Sequence, residues 1–133
     1  MIIRQLSVFL ENKIGMFAKI ARLLGDNGIN MLSFNISETQ DFGIARIIVK
    51  KEEEERAFAL LKANSYAASM TPVLLIRCNH VPGAMASILE QLSSAGVSIE
   101  YLYAFADADS DFSRVIIRPD DLEKANDIVK ELQ

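Results

Sequence analysis

A chain of 133 residues, half of them hydrophobic and 24% charged, makes either one ordinary soluble domain or two very small ones that would be marginal unless packed together. Its formal net charge of −4 argues against nucleic acid as the main partner, because phosphate recognition needs a basic face. A single cysteine, Cys78, excludes an internal disulfide, no apolar run reaches membrane-spanning length, and "MIIRQLSVFLENK" carries neither a basic start nor a cleavage site; the expectation is a cytoplasmic protein with no membrane association.

Taken in chain order, "LSVFL" (6–10) reads as a strand, rich in apolar and β-branched residues. Phe17, Ile20, Ala21 and Leu24 then fall at i, i+3, i+4 and i+7, the stripe of an amphipathic helix, and Gly28 stands where a left-handed residue closes the last turn. "INMLSFNIS" is a second strand, "QDFG" a turn and "IARIIVK" a third strand. "EEEERAFALLKAN" is a helix with acids in its first turn and a lysine in its last, as the macrodipole favours. Its acidic run reads as a solvated helix start, and "SYAASM" adds a short fourth strand before Pro72. The order then begins again: "VLLIRC" is a strand, Met85, Ile88, Leu89 and Leu92 form a helical stripe, Gly96 closes it, "VSIEYLYAF" and "FSRVIIR" are strands about an "ADSD" turn, and "PDDLEKANDIVKEL" is the last helix.

The recurrence is a repeat. Gly15 and Gly83, and Gly28 and Gly96, are each 68 residues apart, and the same shift runs ungapped from Leu6/Leu74 to Lys62/Lys130 with roughly one position in five identical. Each copy reads β-α-β-β-α-β, for which the ferredoxin-like sandwich is the simplest α+β fold, two helices on one face of an antiparallel sheet. The expected architecture is two tandem copies, 1–71 and 72–133, packed as a pseudo-twofold pair with a continuous antiparallel sheet. The second copy stops at Gln133 without an obvious last strand, so its edge is either open or served by "SYAASM". Leu32, Phe34 and Ile36 share one face of their strand and need a partner if the helices cover the other.

In both copies a loop bearing a glycine links the first strand to the first helix: "ENKIG" and "NHVPG". Such a loop delivers the unsatisfied N–H groups of a helix N-terminus, an end that attracts a carboxylate or phosphate, and glycine lets the backbone approach closely. A glycine before a helix serves equally well as a plain turn device, and spacing alone does not choose between the two.

"NKIGMFAKIARLLGDNGIN" and "HVPGAMASILEQLSSAGVSIEYLYAF" resemble the ACT domain, a small-molecule sensor of amino-acid metabolism. The resemblance covers nearly the whole chain, twice, and is nearest to stand-alone tandem ACT proteins, in which "IEYLYAF" is a familiar string. It implies a ferredoxin-like fold, no catalytic activity, no cofactor, and a free amino acid bound where two domains meet. By the same resemblance Asn12, near the loop glycine, and Asn30, opening the second strand, match positions that hold ligand; the second copy has His80 and Ser98 there, so the two halves are not expected to bind equally. With the copies meeting along their second strands, one site combines Asn12, Ile14, Gly15 and Met16 with Val97 and Ser98. The other combines His80, Pro82, Gly83 and Ala84 with Ile29 and Asn30. The zwitterion's carboxylate suits the helix N–H groups, asparagine supplies both donor and acceptor, and Met16 or Met85 lines an adaptable side-chain pocket, core packing being the stronger reading for Met85.

Other chemistry is thinner. Cys78 and His80, two apart on a strand, make neither a closed zinc site nor a nucleophile pair with an orienting third group. Tyr101 and Tyr103 alternate on one strand and suit core or interface packing. The leading reading is a regulatory amino-acid-binding module, expected as a homodimer and as a partner of a metabolic enzyme. The alternatives are an interaction subunit with no ligand of its own and a small isomerase or mutase, the latter lacking an acid–base pair at convincing spacing. An RNA-binding module of the same fold is opposed by the acidic charge and by the absence of an aromatic third strand.

Overall fold

The structure is a computed structural model, and it describes residues 1–11, 13–38, 41–105 and 111–133. Its elements are β1 (Ile2–Glu11), α1 (Met16–Asp26), β2 (Ser33–Glu38), β3 (Phe42–Ile48), α2 (Glu54–Ala63), β4 (Ala67–Asn79), α3 (Ala84–Ser94), β5 (Ile99–Ala104), β6 (Phe112–Pro119) and α4 (Leu122–Leu132), with a short 3-10 turn at Lys51–Glu53 leading into α2. Parts of the two expected hairpin turns, "QDFG" and "ADSD", lie outside the described residues. The chain divides into two compact units: Arg4–Thr71, and Met1–Ile3 together with Pro72–Gln133. They are called here the first-repeat and second-repeat units; β1 and β4 each give residues to both.

In the first-repeat unit the strand order is β2-β3-β1-β4, with β3 antiparallel to both β1 and β2. That order, with two helices, is the ferredoxin-like arrangement. Strand alternation sends Leu6, Val8 and Leu10 of β1 and Ala45 and Ile47 of β3 to one face, where they bury Ile20 and Leu24 of α1 and Ala57 and Leu61 of α2. Each Leu or Ile so removed from water contributes about 1.5–3 kcal/mol. The stripe of β2 belongs to this same helix-bearing face: the Phe34 ring lies 6.2 Å from that of Phe17 on α1. Phe34 and Ile36 therefore do not form an apolar face turned away from the helices, although both stay substantially exposed. The acidic run before α2 is solvated except at Glu54, which is buried and accepts a hydrogen bond from Arg4 Nε at 2.8 Å.

In the second-repeat unit the order is β1-β4-β6-β5, with β6 antiparallel to β4 and β5. Its core repeats the first: Leu74, Ile76 and Cys78 of β4 and Val115 and Ile117 of β6 pack on Ile88 and Leu92 of α3 and Ala125 and Val129 of α4. The place of a last strand is taken from the other end of the sequence. Met1 and Leu75 exchange both backbone bonds, N to O at 3.1 Å one way and 2.8 Å the other, the reciprocal pattern of an antiparallel pair. One step along β4, the side-chain amide of Gln133 does what a strand would: its Oε1 accepts from Arg77 N at 2.7 Å and its Nε2 donates to Arg77 O at 3.0 Å. "SYAASM" instead lies mostly in the first half of β4, where Ala68 and Met70 pack on the first-repeat core.

Two features depart from the sequence reading. The ungapped 68-residue register breaks at the third strand. Leu74 stands 68 residues after Leu6, yet its partner Ile117 stands 70 after Ile47, the partner of Leu6. A slip of two residues keeps the same side chains facing inward, so the apolar pattern survives it. Secondly, in the strand order of the described residues β2 neighbours β3 and β5 neighbours β6, so among these residues the expected pairing of the two second strands is not made.

Candidate functional site

The loop of the second repeat turns on Gly83, whose φ of 86° is left-handed and which serves as N-cap of α3 without any side-chain cap. Ala84 N is spent on Val81 O at 3.2 Å, and the first bond of the helix runs from Ser87 N to Gly83 O. The amides of Met85 and Ala86 are therefore first-turn donors with no carbonyl partner among the described residues. Both residues line a cavity of about 590 Å³, bordered also by the loop and by inward residues of β5 and β6, notably Leu102, Ala104 and Ser113. At its rim the exposed His80 ring lies 3.1 Å by Nε2 and 3.4 Å by Nδ1 from Ser113 Oγ, and His80 N donates to Asp111 O at 3.2 Å. The ring accepts from the hydroxyl or donates to it according to its tautomer. The site thus offers amide donors, one histidine–serine pair and an apolar wall, a combination suited to a small zwitterion with an apolar side chain.

The first repeat builds the same geometry with different chemistry. Gly15, φ 83°, is the uncapped N-cap of α1, and a cavity of about 330 Å³ lies against it, bordered by Ile36, Glu38 and Gly43. Lys13 Nζ is 2.7 Å from Glu11 Oε2; this pairing holds the Glu11 carboxyl below its usual range and raises the lysine. Ile14, where the second repeat has Pro82, projects fully into solvent.

Of the residues singled out from sequence, Gly15, Ile14 and Met16 line the first-repeat cavity, and His80, Pro82 and Gly83 line the second-repeat cavity, beside Ala84. Asn12 lies outside the described residues. Ile29 and Val97 are buried in the two cores, their amides taken by Leu24 O and Leu92 O at 2.9 Å. Asn30 is exposed, and Ser98 N donates to Asp120 Oδ1 at 2.9 Å. None of these last four borders either loop cavity. Met16 and Met85 do both things proposed for methionine, packing on a core and lining a cavity. The residues missed by sequence reading are those contributed by the far ends of the second strands, Ile36 and Glu38, Leu102 and Ala104, with Ser113. Alternation places Leu102 and Ala104 on the helix side, while Tyr101 and Tyr103 stack on each other at 6.4 Å and do not line the cavity. Cys78 is buried, and among the described residues no three His, Cys, Asp or Glu side chains gather as a metal set. No helix among the described residues is long and apolar enough to cross a membrane.

Comparison with known proteins agrees with this geometry. The family model described as "ACT domain pair" matches residues 1–133. Among solved structures, protein BT0572 from Bacteroides thetaiotaomicron is 40% identical, with a TM-score of 0.88 over 98% of this chain and 88% of that one. The regulatory subunit of aspartate kinase from Thermus thermophilus shares the fold at 19% identity, with a TM-score of 0.68 over 96% of this chain and 91% of that one. Its counterpart from Thermus flavus does so at 18% identity and a TM-score of 0.65, over 98% and 94%. None of the curated proteins matches. Two ferredoxin-like units, each with a glycine-turned loop over a small cavity, and a family match from end to end lead to one conclusion: the chain belongs to the ACT domain pair family.

Proposed function

We propose that this protein is a non-catalytic regulatory module that binds a free amino acid, through two ACT-like domains, 1–71 and 72–133. The observation that carries the reading is the second-repeat cavity, about 590 Å³ in volume, where two first-turn amides of α3, the His80–Ser113 pair and an apolar wall converge. In this reading the ligand carboxylate takes the amides beyond Gly83 and Ala84, His80 and Ser113 meet the ammonium end, and Met85 and Leu102 accept the side chain. The first-repeat loop, with Asn12, Ile14, Gly15 and Met16, is the weaker site, being smaller and edged by the Lys13–Glu11 pair. Asn30, Ile29, Val97 and Ser98 contribute from the starts of the second strands only if the chain repacks or pairs with another copy. Membership of the ACT domain pair family supports the binding role. The shared fold with subunits named as regulatory parts of aspartate kinase supports the idea of an enzyme partner. A second copy of this chain is the other proposed partner, because β2 and β5 stand at the two ends of the strand order of the described residues.

A thermal-shift screen of the twenty amino acids tests this. A ligand at a hundred times its Kd adds about 2.7 kcal/mol, which for a chain of this size raises Tm by roughly 10 °C. His80→Ala should remove most of that shift and leave the ligand-free Tm nearly unchanged. If no amino acid at millimolar concentration moves Tm, the binding reading fails and a ligand-free interaction subunit takes its place. Light scattering at micromolar protein decides the second point: a mass of 14.8 kDa, that of one chain, would end the homodimer proposal.

A further inference from the structure

The two loop cavities stand at corresponding places of the repeat, and the strand registers identify which of their residues correspond. In the first repeat Ile36 pairs with Ala45 and Ala45 with Val8; in the second Ala104 pairs with Val115 and Val115 with Ile76. Val8 and Ile76 are 68 residues apart, so Ile36 and Ala104 hold one and the same position. Likewise Leu10, paired with Gly43, corresponds to Cys78, paired with Ser113. Phe17 of α1 and Met85 of α3 are again 68 apart. Leu10, Phe17, Ile36 and Gly43 line the first-repeat cavity; Cys78, Met85, Ala104 and Ser113 line the second.

These exchanges account for the difference between about 330 Å³ and about 590 Å³. An alanine stands for an isoleucine, a cysteine for a leucine, and an unbranched thioether for a phenyl ring. Val115, larger than Ala45, takes back part of the space. The room so gained lies on one side of the sheet: Cys78 and Val115 belong to the second-repeat core and Met85 packs on it. One side chain can therefore touch them all, together with Ala104, which stands opposite Val115. The wall is apolar and, at Met85, adaptable. A charged side chain laid there would be stripped of its water by these groups, whereas an apolar one gains from burial.

We propose that Ala104 is the residue that sets the ligand class of the second-repeat site: with Cys78, Met85 and Val115 it opens a compartment for a long, flexible apolar side chain, of the kind carried by methionine or norleucine. The inference rests on the amino-acid reading of this cavity and narrows it. Ile36, at the same position of the first repeat, occupies the space that Ala104 leaves, so the two loops differ in the side chain they admit as well as in their polar groups.

The test is a calorimetric titration of the intact chain with a homologous series: alanine, 2-aminobutyrate, norvaline and norleucine, with methionine and lysine beside them. Affinity should rise about fourfold for each methylene added along the series. Methionine should bind about as norleucine does. Lysine, which is norleucine with a terminal ammonium group, should lose most of that gain. Ala104→Ile should flatten the series, so that affinity no longer rises with chain length and norleucine weakens at least tenfold. Ala104 is exposed on β5, where a β-branched residue suits the strand, and far-UV circular dichroism with the ligand-free Tm verifies the fold. Met85→Phe, which installs the first repeat's ring, should flatten the series in the same way and serves if the isoleucine variant fails to fold. Binding that ignores chain length, a lysine affinity equal to or above that of norleucine, or a series that still rises in both variants overturns this proposal and leaves the amino-acid reading standing. Absence of binding by any of the twenty amino acids overturns both.

Discussion

Replacing Gly83 by alanine isolates the cost of the turn that opens the second-repeat cavity. Gly83 has φ of 86°, a left-handed value, and a Cβ built on it meets no atom within 4 Å. There is thus no steric term against neighbours, only the local one between Cβ and its own backbone, about 1–2 kcal/mol in the left-handed region. Alanine recovers some of this by restricting the unfolded chain, by about 0.4–1 kcal/mol, so the net loss should be about 1 kcal/mol. With a urea m-value of about 1–3 kcal/mol/M for a small protein, the midpoint falls by roughly 0.3–1 M. Asparagine, which tolerates the left-handed region, should lose less than alanine at the same position. Gly15→Ala should behave as Gly83→Ala does, since its φ is 83° and its Cβ also meets open space. Equilibrium urea unfolding followed by circular dichroism measures all three. An unchanged midpoint in Gly83→Ala, a loss above about 3 kcal/mol, or an asparagine variant worse than alanine would show that the glycine is there for some reason other than its backbone angle.

Arg4→Met should cost more than Glu54→Gln. The first strands a buried carboxylate, while the second leaves Arg4 paired with Glu55 at 2.9 Å. Chemical denaturation of both variants gives the order, and the reverse order would show that the pair is merely a surface one. Leu92→Ala, at a fully buried position of α3, should lose about 2.7–5 kcal/mol, read from the same unfolding curves; a loss below about 1 kcal/mol would mean that the second-repeat core closes over the gap.

Much of this fold was legible because its information is periodic. The stripe Phe17, Ile20, Ala21 and Leu24 and its counterpart Met85, Ile88, Leu89 and Leu92 both fall on helices, and the glycine loops precede them as expected. What was not legible had no side-chain signature. Met1 pairs with Leu75 through main-chain groups that every residue carries, and the Gln133 amide imitates those groups. The two-residue slip at the third strand preserves the inward parity, so alternating hydrophobicity cannot report it. Parity alone also left open which face the helices would take at Phe34 and Ile36; the Phe17–Phe34 contact decides it. At the site, the loop residues were visible through their glycines, but Ser113, Leu102 and Ala104 come from strands whose ends meet the loop only after folding. Glu54 was hidden in a run of like residues, and one position of burial set it apart.

The pairing of Met1 with Leu75 also sets an order of events. Contacts across 74 residues are slow to close, and the second-repeat unit cannot be completed until β4, β6 and α4 have all emerged from the ribosome. The first-repeat unit needs nothing beyond Thr71 and is free to form early. Until then the first three residues must wait unpaired. A cut between Thr71 and Pro72 would separate the second repeat from the segment that covers its β4 edge, leaving that edge, among the described residues, guarded by one glutamine amide and open to another chain. The two repeats are thus not interchangeable modules: the first can be excised with its own strands intact, whereas the second draws Met1–Ile3 from before the first repeat.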